Sequence, residues 1–205
     1  MNRRGEHANQ VRVIAGRWRG RRLQFPDLPG LRPTPDRVRE TLFNWLAPAL
    51  PGARCLDLFA GSGALGIEAL SRGAAEVVFV ERHPVATRAL RDNLARLNGA
   101  GARIEQAEAL AWLRQPGTPF EIALLDPPFG EGLLEPVCAL LERGGWLAPT
   151  AWIYLEAEAE AGPPSLPARW TPHREKTAGA VTYRLARREN PAFAADSAPG
   201  VGRAQ

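Results

Sequence analysis

Apolar and polar positions alternate between two rhythms along this chain. Short apolar runs recur at residues 55–59, 77–80, 120–125 and 146–155, and each reads as a buried strand. Between them apolar residues return every three or four positions, as at Leu65, Ala69 and Leu70, and at Val85, Leu90, Leu94 and Leu97. Leu133, Leu134, Val137, Leu140 and Leu141 repeat that spacing and stop at Gly144-Gly145. Such positions mark helices with one inward face, so Val85 is expected to point inward with the rest. Residues 102–106 add a short third strand, and residues 109–113 a short helix. Residues 170–177 and 181–186 read as an antiparallel pair about Ala178-Gly179. Strand and helix in alternation predict an α/β protein with a mostly parallel, Rossmann-like seven-stranded sheet flanked by helices.

The ends are patterned differently. Residues 1–10 and 189–205 carry no apolar period and are expected to be disordered. Residues 11–15 and 23–25 read as two strands of an N-terminal β-hairpin, joined by a glycine-bounded turn with Arg17, Trp18 and Arg19. Residues 26–33 form a Pro/Gly-rich linker, and residues 156–167 an acidic, then proline-rich loop. Thr34 before Pro35 reads as the N-cap of a helix that turns Val38, Leu42, Trp45 and Leu46 inward and Arg37, Arg39 and Glu40 elsewhere. The expected organisation is a hairpin and linker over 11–34 and one catalytic domain over 35–188.

Composition narrows the class. Apolar residues make up 45% and charged residues 23%, as in a soluble globular protein, and no apolar run is long enough to span a membrane. Cys55 and Cys138 sit in apolar runs and read as thiols of a reducing cytoplasm. His7, His83 and His173 are too scattered for metal-ligand spacing, so no metal is expected. Residues 1–40 hold ten arginines against four acids, which suggests nucleic-acid phosphate as a partner or else a solvated charged terminus. Arg17, Trp18, Arg19 and Arg21 suit phosphate contact with base stacking, although Trp18 could equally pack on the hairpin.

Three stretches carry the chemistry. The strand at residues 55–59 breaks on Gly61-Ser62-Gly63 and resumes as a helix, which places a glycine turn at the carboxyl end of a buried strand, where α/β proteins bind ligands. Gly61, Gly63 and Gly66 also satisfy the dinucleotide spacing, and a ligand-free glycine turn would look similar. Glu81 ends the next strand, where a carboxylate can accept from ribose hydroxyls. Asp126-Pro127-Pro128-Phe129 ends the strand at 120–125. The prolines hold the loop rigid, Asp126 and the Pro127 carbonyl can accept from one planar amine, and Phe129 can stack on the base. That set suits methyl transfer to an exocyclic amine, in which alignment supplies much of the catalysis.

The glycine loop, Glu81 and Asp126-Pro127-Pro128-Phe129 resemble motifs of the class I S-adenosylmethionine-dependent methyltransferases. More specifically, residues 12–21, 31–46 and His173-Arg174-Glu175-Lys176 with Tyr183-Arg184-Leu185 resemble the RsmD family, bacterial enzymes that methylate N2 of one guanine in 16S rRNA. The chain departs from the family pattern in lacking an Asp two residues after Glu81.

The resemblance implies S-adenosylmethionine as cofactor and S-adenosylhomocysteine as product. It implies cofactor contacts from Asp57, Phe59, Gly61, Ser62, Gly63, Glu81, Arg82, Glu108 and Ala109, and catalytic roles for Asp126, Pro127 and Phe129. Substrate RNA is expected at Arg17, Trp18, Arg19, Arg21, Arg32, Thr34 and Arg37. The implied partner is 16S rRNA in the assembled or assembling small ribosomal subunit, met by a cytoplasmic monomer. An adenine-N6 methyltransferase would share Asp126 to Phe129 but leaves the arginine hairpin unexplained. A non-catalytic RNA-binding assembly factor would have no need of the intact motifs.

Overall fold

The computed structural model describes residues 9–189. β1 (Asn9–Arg12) runs antiparallel to β2 (Arg22–Phe25), with Val11 opposite Leu23. The hairpin strand thus starts earlier than expected and takes in Asn9 and Gln10. The remaining residues expected to be disordered, apart from Glu189, lie outside the described range. The helix α1 (Asp36–Leu46) follows the linker. Its N-cap is Pro35, with no side-chain cap. Thr34 is therefore not the cap expected of it, because its hydroxyl is used elsewhere.

The main sheet is built from β3 (Arg54–Asp57), β4 (Glu76–Val80), β5 (Ala102–Glu105), β6 (Phe120–Leu125), β7 (Leu147–Glu158), β8 (Trp170–Ala178) and β9 (Val181–Arg188). Its order is β5-β4-β3-β6-β7-β9-β8. The first five of these strands pair in parallel, and β9 and β8 close the sheet antiparallel. This is the expected seven-stranded architecture. Its carboxyl edge gathers the ends of β3, β4 and β6, which carry the three motifs.

Helices α2 (Ala64–Ser71), α3 (Pro84–Leu97), α4 (Ala109–Leu113) and α5 (Leu134–Arg143) complete the layers. One core packs α1, α2, α3 and the hairpin on one sheet face, with Leu42, Phe43, Ile67, Leu90 and Leu23. The other packs α4 and α5 on the opposite face, with Trp112, Val137 and Leu141. Cys55 and Cys138 are both free and lie in different cores.

Several positions depart from the periodic reading. Val85 is 49% exposed, because it sits in the first turn of α3 beyond the covered face. Arg39 is buried, not turned outward. The whole of α2 is buried, since the hairpin covers the side that would otherwise meet solvent. Glu68 Oε2 and Oε1 accept from the backbone N–H groups of Ile14 and Ala15 at 2.8 and 2.9 Å. Arg72 Nε meets Glu68 Oε1 at 2.7 Å, and Arg39 Nη1 lies 3.6 Å from Oε2. Arg39 also donates to the Arg12 carbonyl and to Asp36. On α3, Asn93 accepts from Gln24 N–H and donates to its carbonyl. A paired and saturated carboxylate is what allows Glu68 to be buried at all.

Candidate active site

Asp57 closes β3 and is almost fully buried. Its Oδ2 accepts from Gly66 N–H at 2.9 Å. Burial pushes its carboxyl up to about 7, the Gly66 hydrogen bond opposes this, and the charge of Glu81 adds to it. Gly66 has no room for a side chain: a Cβ there would meet the Phe79 ring and Asp57 itself. Its place in the glycine spacing is thus a packing requirement. Gly63 is the N-cap of α2 at φ 76°, and a Cβ there would overlap Leu90. Ser62 is buried beside it, and Phe59 is half-buried against the α4 side.

Glu81 follows β4. Its Oε2 accepts from Gly61 N–H at 2.8 Å and its Oε1 from His83 N–H at 2.7 Å. Each oxygen keeps a further lone pair for a hydroxyl. Ala107 N–H donates to the Glu81 carbonyl, which ties the end of β5 to the end of β4. Glu108 follows Ala107 and caps α4, accepting from Leu110 and Ala111 N–H at 3.1 and 2.8 Å. Ala109 is buried. Arg82 is exposed and pairs with Glu131 at 3.2 Å, so it bridges the β4 end to the loop after β6.

Asp126 stands at the end of β6, one strand from Asp57. Its Oδ2 accepts from Thr34 Oγ1 at 3.1 Å. Burial first, then the charges of Glu156 and Asp57, raise its carboxyl well above the ordinary range, while Thr34 lowers it. Pro127 is buried, and Phe129 stands 45% exposed at the mouth of the site. The ring is therefore available to a flat partner arriving from solvent.

Two groups here were not anticipated. Residues 156–158 continue β7 instead of opening the acidic loop. Glu156 is buried, and Tyr154 OH donates to its Oε2 at 2.7 Å. Burial raises Glu156, while Tyr154 and Thr34 lower it. One hydroxyl proton cannot serve both carboxyls at once, and Thr34 gives its proton to Asp126 while lying near Glu156. An acid following an apolar run does signal a strand end, but here the strand continues.

The expected RNA contacts divide. Arg19, Arg32 and Arg37 are exposed. Arg17 and Arg21 are exposed too, yet donate to the carbonyls of Ala100 and Arg96 at 3.4 and 3.1 Å. Trp18 is 8% exposed, with the Arg17 guanidinium 4.1 Å from its ring centre and its N–H bonded to Ser71. Trp18 is thus a packing residue and offers no stacking face. Thr34 is buried and faces Asp126, so it lines the candidate site and not an outer RNA surface.

Among the described residues, no cluster of His, Cys, Asp or Glu could hold a metal ion, and no helix is long and apolar enough to cross a membrane.

A glycine loop after the first strand of a parallel sheet, an acid ending the second, and an Asp-Pro-Pro-Phe loop ending the fourth define a class I, Rossmann-like methyltransferase. The chain belongs to the RsmD family, whose model, described as Conserved hypothetical protein 95, matches residues 11–187. It is 56% identical to Ribosomal RNA small subunit methyltransferase D of Escherichia coli strain K12, over 89% of this chain and 92% of that protein. It is 47% identical to the protein of the same name from Haemophilus influenzae, over 86% and 93%. The solved structure of yhhF from Escherichia coli shares 53% identity at a TM-score of 0.84, covering 89% of this chain and 99% of that one.

Proposed function

We propose that this protein transfers a methyl group from S-adenosylmethionine to the exocyclic N2 amine of a guanine in 16S rRNA. The observation that carries the reading is the placement of Asp126 and the rigid Pro127-Pro128 loop within one strand of the Asp57–Glu81 pocket. The names of the RsmD relatives support ribosomal RNA of the small subunit as substrate. The assembled or assembling subunit, met by a cytoplasmic monomer, completes the reading.

The residues present fit the cofactor. Gly61 leaves an open turn without a side chain just before α2, and the positive end of that helix suits the cofactor's carboxylate. Glu81 keeps lone pairs for ribose hydroxyls, and the Ala107–Ala109 turn lies beside it for the adenine. When bound, the cofactor would supply an electrophilic methyl group on a sulfonium, with S-adenosylhomocysteine as the neutral thioether leaving group. Asp126 and the Pro127 carbonyl accept from the guanine amine and aim its lone pair. Phe129 stacks on the base. The proton released by the methylated amine passes to Asp126 and then to solvent.

Nucleoside mass spectrometry tests this on 16S rRNA from a strain lacking the gene, with and without the protein restored. N2-methylguanosine should disappear and return. Loss of N6-methyladenosine instead would assign the adenine reading. Asp126→Ala should abolish transfer and leave S-adenosylmethionine affinity by isothermal titration within about twofold. An active Asp126→Ala variant would rule the mechanism out.

A further inference from the structure

β8 is the free edge of the main sheet, and Thr171 to Thr177 are all exposed along it. The helix layer stops one strand short. Trp45 of α1 stacks on Tyr183 of β9 at 5.4 Å, and Tyr183 and Leu185 are buried, whereas nothing covers their β8 partners Lys176 and Arg174.

The register sets these two residues relative to the site. Leu125 pairs with Leu155, so Asp126 and Glu156 come next on their strands and share a face. Glu156 pairs with Tyr183, and Tyr183 with Lys176. Asp126, Glu156, Tyr183 and Lys176 therefore form one row across the sheet. Three strand spacings put Lys176 about 14 Å from Asp126. Leu124, Tyr154, Leu185 and Arg174 form the parallel row beneath. A register shift between Pro172 and Arg174 turns His173 to this side too, where it meets the Trp152 ring at 4.9 Å.

The face is basic and unneutralised. Glu175 points the other way and is paired with Arg184 at 2.6 Å. Among the described residues, neither the Arg174 nor the Lys176 side chain makes an ion pair or a hydrogen bond. Glu156 is buried against Tyr154, and Glu158 lies one row beyond. Lys176 is the single lysine of the chain.

We propose that Arg174 and Lys176 form a second phosphate-binding surface that holds the substrate RNA strand on the side of the site opposite the N-terminal hairpin. The hairpin is bolted to α2 and α3, on the β4–β5 side of the active site, and β8 lies on the other. A strand that delivers one base to Asp126 must leave the site in both directions, and each direction then meets arginine or lysine. The inference rests on the site's reading as an RNA methyltransferase.

Charge on an exposed strand edge also keeps it from pairing with another chain. The variant Arg174→Glu/Lys176→Glu separates the two roles, because it keeps the edge charged and reverses only the sign. Two measurements suffice: anisotropy of a fluorescein-labelled single-stranded RNA across a salt series, and methyl transfer to small-subunit RNA and to assembled subunits. The variant should bind RNA about tenfold more weakly or worse and lose about 1.4 from the slope of log affinity against log salt, 0.7 for each phosphate contact. KM should rise with kcat, melting temperature and cofactor affinity unchanged. Unmoved affinity and slope beside an active wild type would overturn this surface alone. A defect on assembled subunits with unaltered RNA binding would overturn it in favour of a protein contact. A wild type that methylates no RNA would overturn both the surface and the reading it rests on.

Discussion

Thr34 reaches across 92 residues of sequence to donate its hydroxyl to Asp126, while Arg39 Nε holds the Thr34 carbonyl at 3.0 Å. Because Arg39 also grips the Arg12 carbonyl, one guanidinium joins the hairpin to the residue that donates to the proposed catalytic carboxylate. Thr34→Val should therefore lower kcat about tenfold, the scale of one hydrogen bond to a charged group, and leave cofactor affinity unchanged. Thr34→Ser should restore most of the rate. A valine variant as fast as wild type in steady-state assays would show that Asp126 needs no such support.

Glu156 should act on rate through pH. Asp126 faces Glu156 on β7, Asp57 on β3 and the Thr34 hydroxyl, with Tyr154 behind Glu156. The two carboxylates raise Asp126, so removing one negative charge favours its ionised form. If ionised Asp126 receives the amine, Glu156→Gln should move the acid limb of the kcat profile to lower pH. A limb that stays in place, with only its height reduced, would leave Glu156 a purely structural role.

Asp57 makes the fold sensitive to pH in the absence of cofactor. Its carboxyl rises from 3.8 to about 7 on folding. The stability it contributes is thus fully present below about pH 4 and is lost as pH climbs through 7. Asp57→Asn retains an acceptor for Gly66 N–H without the charge. Its melting temperature should match wild type near pH 4 and exceed it by ~3 °C or more at pH 8. Parallel melting curves at both pH values would contradict the shift.

The hairpin's hold on the domain should centre on Glu68. Glu68→Ala leaves the buried Arg39 with Asp36 as its one acidic partner, strips Arg72 of its partner and frees the Ile14 and Ala15 N–H groups. The expected loss is about 3–5 kcal/mol by urea denaturation. Hydrogen exchange should rise first in β1 and β2. A loss below about 1 kcal/mol would mean that the hairpin is held mainly by Val13, Leu23 and Phe25.

The central parallel strands were readable from sequence because each is a mostly apolar run ended by glycine or an acid, while β5, Ala102-Arg103-Ile104-Glu105, shows only as a short alternating stretch. The same punctuation placed Asp57, Glu81 and Asp126 at one edge of the sheet. Contacts that cross the chain left no local trace. Arg39 lies on the polar face of α1, and only the arrival of Glu68 and Arg12 makes it a buried residue. Thr34 before Pro35 looks like a cap, and its hydroxyl is taken by a partner that no helix rule contains. Glu156 looked like the start of a loop because a proline-rich stretch follows it, whereas pairing with Tyr183 carries β7 further. Trp18, flanked by arginines, was ambiguous until Ser71 and Arg17 enclosed it.

The docking of the hairpin on α2 and α3 also orders events during synthesis. β1 and β2 leave the ribosome first, but Glu68, Ser71 and Asn93 emerge much later; Gln24 is separated from Asn93 by 69 positions. At about 5–20 residues per second, the hairpin waits roughly 3–14 s for its seat to exist. During that interval Val11, Val13, Leu23 and Phe25 have no core to join, and the five arginines among them, Arg12, Arg17, Arg19, Arg21 and Arg22, favour keeping the nascent segment in water until the rest of the domain arrives.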